Sequence, residues 1–238
     1  MALILNIETS TSVCSVCISK DGEVLNYRET NDQKSHAEFL TVFIDEIVKE
    51  QNLTFNDFDA IAVSMGPGSY TGLRIGVSTA KGLCYAKNLP LIAVNTLQSL
   101  ANGVVQKVNK AELKVHDFNK SLLVPMIDAR RMEVYSAFFN SDVESEREIK
   151  AEIIDENSYS EILKDKKMLF FGDGSAKIAD TIKSANAIFI ENINTSSLYM
   201  ASLSEKAFNQ KNFVDVAYFE PFYLKDFVAT VPKKNIFK

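Results

Sequence analysis

The chain has no tryptophan and only three cysteines, two histidines and five prolines among its 238 residues. Each scarcity removes a class of protein. Three cysteines, Cys14, Cys17 and Cys84, do not make a secreted disulfide framework. Cys14-Ser15-Val16-Cys17 has a C-x-x-C spacing, but the segment alternates like a strand, so its sulfurs point to opposite faces and could not readily chelate one metal. His36 and His116 belong to no paired-histidine array, since one turn after His36 stands Leu40, and no metal site is expected. No apolar run approaches the ~20 residues that span a bilayer. Residues 1–8 lack a positive n-region and meet an acid too early for a signal peptide, so a cytoplasmic protein without membrane attachment is expected. Basic charge is also in deficit. With 26 Lys and Arg against 31 Asp and Glu the net charge is −5, and no cationic stripe interleaves with aromatics, which argues against autonomous nucleic-acid binding.

What the chain does have is the 46% hydrophobic, 24% charged composition of a soluble globular protein large enough for one big domain or two small ones. It opens as a β-meander: strands over 3–8 and 13–19, an Asp21-Gly22 turn, and a strand over 24–29. Ser35 and Glu38 have capping-box spacing, and Phe39, Leu40, Phe43, Ile44, Ile47 and Val48 then recur on one helical face. A strand over 60–64 follows, then a glycine-dense turn, a helix over about 70–86, a strand over 91–94, and a helix capped by Thr96. Residues 109–121 are polar and charged and read as a linker between an N-terminal segment, 1–108, and a C-terminal one, 122–238. The second segment repeats the grammar of the first. A strand over 122–128 ends in an acid and turns back as a strand over 134–139, as the first strand, ending in Glu8, had done; two related half-domains are expected. Short strands over 168–171 and 187–190 and a helix over about 198–209 complete the pattern.

The most informative stretch is Met65-Gly66-Pro67-Gly68-Ser69-Tyr70-Thr71-Gly72-Leu73-Arg74-Ile75-Gly76. Its helix carries Gly72, Gly76 and Gly82, each costing ~1 kcal/mol relative to alanine. Either another helix packs closely on that face or a ligand approaches the N–H groups at its start; close packing explains more of the glycines. The spacing fits neither a P-loop nor a dinucleotide fingerprint, because Thr71 stands where the latter needs a third glycine. Ser69 lacks the Gly-x-Ser-x-Gly elbow and an evident histidine base. Glu8 and Asp128, each at a strand end, are the best paired carboxylates for metal-phosphate chemistry, with hydroxyls at Thr9 and Ser10 beside the first, although such acids often merely cap turns. Arg130 and Arg131 lie in the following turn, where pairing with Glu133 or Asp128, or plain solvation, is expected.

Several segments together resemble the bacterial TsaB (YeaZ) family, which assists threonylcarbamoyladenosine formation at position 37 of tRNA. They are Ile4-Leu-Asn-Ile-Glu-Thr-Ser10, Ser35-His-Ala-Glu38, the glycine stretch with Ala80-Lys-Gly-Leu83, Val94-Asn-Thr-Leu97, and Pro125-Met-Ile-Asp-Ala-Arg-Arg-Met-Glu-Val-Tyr135. The resemblance implies an α/β, actin-like and Hsp70-like ATPase fold of two related lobes. It implies a non-catalytic scaffold that activates a TsaD-like transferase together with a TsaE-like ATPase and meets tRNA indirectly, through the complex. No cofactor is implied for the chain alone; ATP or ADP would sit at the shared interface. The implied contact runs through the first two helices, with His36, Phe39, Leu40 and Phe43 from one and Tyr70, Leu73, Arg74, Gly76, Val77, Ser78 and Lys81 from the other. On that basis leucine at Gly72 and Gly76 should abolish association while sparing the monomer. Glu8, Thr9, Ser10, Gly66, Gly68 and Asp128 would then form a vestigial nucleotide site. The family's first strand usually ends in aspartate, and the extra methylene of Glu8 would displace a carboxylate by about an ångström or more from phosphate-metal geometry. Two rival readings remain open: an actin-like enzyme with its own ATPase, kinase or peptidase activity, and a regulatory homodimer.

Overall fold

The computed structural model describes residues 2–32 and 36–224; the Ser35 capping box lies outside the described residues. The first sheet has the order β3-β2-β1-β4-β5, built from β1 (Leu3–Glu8), β2 (Cys14–Lys20), β3 (Glu23–Thr30), β4 (Ala60–Gly66) and β5 (Leu91–Asn95). Its β1–β2 and β2–β3 pairs are antiparallel, and β1–β4 and β4–β5 are parallel. Helices α1 (His36–Glu50) and α2 (Tyr70–Lys87) supply the crossovers, and α3 (Thr96–Asn109) follows β5. The second sheet repeats the topology, in the order β10-β9-β6-β7-β8, with β6 (Leu122–Asp128), β7 (Glu133–Phe139), β8 (Ser145–Ile153), β9 (Met168–Phe171) and β10 (Ala187–Ile190). Again the first two pairings are antiparallel and the last two parallel. The repeated grammar is therefore a repeated sheet topology, two mixed five-stranded lobes with the same strand order.

The lobes differ in their helices. Between β8 and β9 the chain forms only α4 (Ser160–Leu163), and between β9 and β10 a single 3-10 turn over Ala176–Ile178, where the first lobe has α1 and α2. Strand β8 escapes a reading by hydrophobic pattern because it is a charged edge strand whose inward alternation is confined to Arg147, Ile149 and Ala151.

Two helices pack on the sheet of the other segment. In α3, Leu97, Leu100, Ala101 and Val104 join Leu123, Ile127, Leu169 and Phe171 of the second sheet. Helix α5 (Ala201–Asn209) returns to the first lobe, where Met200, Leu203, Ala207 and Phe208 cover Ala2, Ile4, Ala60, Ala62, Ile92 and Val94. A hydroxyl cluster ties the return in place. Thr11 and Thr195 meet at 2.6 Å, Ser15 and Ser197 at 2.8 Å, and Ser196 donates to Glu29 at 2.8 Å. The segment read as a polar linker also packs, with Leu113, Val115 and Phe118 against the second core. Helix α3 is capped by Asn95, whose Oδ1 accepts from Gln98 N at 3.1 Å; Thr96 is instead the first helical residue, and its Oγ1 accepts from Gly66 N at 3.1 Å.

Both sheet faces of β2 are covered, so Cys14 and Cys17 are buried on opposite sides. Burial pushes the Cys14 thiol up to about 11 and that of Cys17 to about 12, which leaves them inert as nucleophiles.

Candidate functional site

The glycine stretch forms the strand-to-helix junction of the first lobe, and what it approaches is the chain itself. Ser69 caps α2 by accepting from Gly72 N at 3.3 Å, and its own N–H donates to Ser10 O at 2.6 Å. Thr9 Oγ1 donates to Gly72 O at 2.8 Å. A Cβ built on Gly68 would overlap the Ser10 carbonyl, one on Gly72 the Thr9 carbonyl, and one on Gly76 the Thr9 hydroxyl. These glycines let the first two turns of α2 lie directly on the Thr9–Ser10 turn. At Gly66, φ is +108, a left-handed value suited to glycine.

Beneath this lid Glu8 is fully buried. Its Oε1 accepts from Ser10 N at 2.6 Å and from Ser64 Oγ at 2.9 Å, while Oε2 and the neighbouring Ser10 Oγ find no partner among the described residues. Burial raises the Glu8 pKa above the ordinary carboxylate range, and the hydrogen bonds from Ser10, Ser64 and Thr9 oppose it only partly. The folded state thus holds this proton more tightly than the unfolded one. Its stabilising effect is complete below the unfolded pKa and is lost as pH rises through the folded pKa. Glu8→Gln is therefore expected to gain stability relative to the parent chain on going from pH 4 to pH 8. Urea denaturation at the two pH values measures this, and a gap independent of pH would refute it.

Asp128, at the equivalent end of β6, is half-exposed and already engaged. Its Oδ1 accepts from Lys177 Nζ at 2.6 Å and from Arg130 N at 2.7 Å, and its N–H donates to Asp173 at 3.0 Å. Glu8 and Asp128 share no hydrogen-bond partner among the described residues. The donors that a phosphate would need are turned to internal acceptors: Ser10 N to Glu8, Ser69 N to Ser10, Lys177 to Asp128 and two backbone carbonyls. The residues present do not fit a metal-bound triphosphate. Among the described residues no group of three His, Cys, Asp or Glu side chains could hold a metal ion.

The matching family model is that of TsaD, tRNA N6-adenosine threonylcarbamoyltransferase, over residues 24–233. The tRNA threonylcarbamoyladenosine biosynthesis protein TsaB of Haemophilus influenzae is 31% identical over 236 residues, covering 95% of this chain and 94% of that protein. The chain belongs to the TsaB (YeaZ) family. The Escherichia coli TsaB is 33% identical over 160 residues, 64% of each chain. The Bacillus anthracis tRNA N6-adenosine threonylcarbamoyltransferase is 36% identical over 124 residues, 44% of this chain and 36% of that one. YeaZ from Pseudomonas aeruginosa superposes with a TM-score of 0.79 at 23% identity, over 94% of this chain and 100% of that chain, which shows the shared fold.

Within this TsaB-family chain the residues assigned to a partner contact fall into four groups. Leu40, Leu73 and Val77 are buried in the protein's own core, and Gly76 is buried against Thr9, so these four cannot form an external face. The reason is that Leu73, Val77, Ala80 and Cys84 form the inward stripe of α2, and Gly72 and Gly76 lie on its flank. Tyr70, Arg74 and Lys81 are held by the chain's own C-terminal segment. Lys81 Nζ donates to the Ala217 and Phe219 carbonyls at 3.1 and 2.9 Å, Arg74 Nε donates to Tyr223 OH at 3.1 Å, and the Tyr70 and Tyr223 rings lie 5.1 Å apart. His36 Nε2 lies 2.9 Å from Thr11 O, and Phe39 and Phe43 stack 5.3 Å apart, half-buried.

Ser78 does face outward. With it stand Gly82, one of the three α2 glycines read from the sequence, and three residues given no role there, Thr71 and Tyr85 on α2 and Val42 on α1, all exposed. Nothing lies within 4 Å of a Cβ built on Gly82. The helical period carried the signal, since positions 71, 78, 82 and 85 lie opposite the apolar stripe 73, 77, 80 and 84. No helix among the described residues is long and apolar enough to cross a membrane.

Proposed function

We propose that this chain is a non-catalytic scaffold of tRNA threonylcarbamoyladenosine formation, holding a TsaD-like transferase in its active arrangement. The carrying observation is the state of Glu8. This acid is sealed under α2 and tied to Ser10 and Ser64, and its counterpart Asp128 is occupied by Lys177, so neither is offered to a reacting centre. The family membership supports the pathway. Docking uses the outward arc of α2, Thr71, Ser78, Gly82 and Tyr85, together with the exposed Val42 of α1; the small residues at 71, 78 and 82 allow a partner helix to approach closely. A TsaE-like ATPase and any nucleotide at the shared interface belong to the assembled complex, and tRNA is engaged within it.

Reconstitution tests this. Glu8→Gln, which keeps the shape of the side chain, should leave threonylcarbamoyl transfer by the assembled complex within about twofold of the parent, because a buried turn-capping acid contributes no transition-state contact. A loss of tenfold or more in a complex of normal stability would mean that this chain takes part in the chemistry.

A further inference from the structure

The two lobes treat equivalent turns in opposite ways. After β1 the turn carries Thr9 and Ser10, both buried, and α2 lies on it. After β6 the equivalent turn has no such cover, because the chain leaving β9 makes only the single turn Ala176–Ile178 in place of a long helix. That uncovered turn carries Arg130 and Arg131, both exposed.

Their backbone is unusual for arginine. Arg130 has φ 66 and Arg131 φ 53, two consecutive residues in the left-handed region that glycine and asparagine occupy with less strain. The local acid does not explain them. Asp128 is taken by Lys177, which also reaches the Arg131 and Glu133 carbonyls at 3.1 and 2.6 Å, and the ion pairs among the described residues include neither guanidinium. Asp128, whose N–H donates to Asp173, is paired with Lys177, and the two arginines stand exposed beyond that cluster on the tip of a hairpin braced from behind. Such planar forks bind the paired oxygens of phosphate and carboxylate groups bidentately.

We propose that Arg130 and Arg131 form a phosphate-binding tip through which this chain grips the backbone of the RNA substrate in the assembled complex. This rests on the reading of the chain as a subunit of a tRNA-modifying assembly. An exposed arginine pair suits a phosphodiester backbone, which presents successive phosphates along a line. The overall charge of −5 agrees with a contact made inside a complex rather than by the chain alone.

The test uses the full chain with its transferase and replaces the pair by residues that relieve the backbone, R130N/R131G. The variant should fold with an unchanged or raised melting temperature and form the complex normally. Its tRNA affinity near 0.1 M salt should fall about tenfold. The slope of log K against log salt should drop by roughly 1.4 to 1.8, the ~0.7–0.9 per phosphate of two lost contacts. R130K/R131K should keep most of that slope. Unchanged tRNA affinity and slope in an intact complex would overturn the assignment. So would a loss confined to ATP or ADP binding, which would move the site to a free nucleotide, or a loss confined to heterodimer formation, which would make the tip a protein contact. Failure of the parent chain to associate with the transferase at all would instead overturn the scaffold reading, and the RNA grip with it.

Discussion

Leucine at both Gly72 and Gly76 is expected to unfold the isolated chain, not to leave a sound monomer that has merely lost its partner. Both glycines face the Thr9–Ser10 turn, and even a Cβ at either position would overlap Thr9, at its backbone oxygen in one case. Thr9 cannot move aside cheaply, since it belongs to the turn that holds Glu8 and is itself bonded to Gly72 O. Overpacking of this kind costs ~1–3 kcal/mol per site and more where backbone is struck. A loss of roughly 5 kcal/mol for the pair would take from a third to all of the stability of an ordinary domain, ~5–15 kcal/mol. Urea denaturation followed by circular dichroism reads this directly. A cooperative transition at the parent midpoint would show that the helix can lift from the turn without penalty.

Gly82→Leu should do the opposite. A Cβ there meets nothing within 4 Å, so the monomer should keep its fold and gain up to ~1 kcal/mol of helix propensity. If the outward arc of α2 receives the transferase, the larger side chain holds the two backbones apart, and affinity should fall about a hundredfold, or ~2.8 kcal/mol. Isothermal titration of the variant with the transferase, beside a melting curve of the variant alone, separates the two effects. Parent-like affinity in a folded variant would remove α2 from the contact.

These two glycine experiments mark where sequence reading succeeds and where it stops. The density of glycine in α2 was legible, and so was the inference that backbone must come close to something. The identity of that something was not, because Thr9 lies more than sixty positions upstream of Gly72 and Gly76 and no local pattern announces the contact. The same holds for Tyr70, Arg74 and Lys81. Their spacing suggests a stripe open to a partner, but the chain returns from α5 to lay residues 217–223 along it. Glu8 was legible as a strand-end acid, and its spacing to Ser10 as a turn. Its complete burial depends on α2 closing over it.

By itself the sequence determined the two-lobed α/β plan, the strands of the first meander and the first two of the second, the helix periods and the family, because these follow from local hydrophobic period and from short motifs. Only the tertiary structure decided the exchange of α3 and α5 between the lobes, the sealing of Glu8, the inward aim of Gly72 and Gly76, and the exposure of Arg130 and Arg131. The physical reason is common to all four. Which face of an amphipathic element meets which neighbour is settled by contacts between residues far apart in the chain, and a pattern read along the chain carries no record of them.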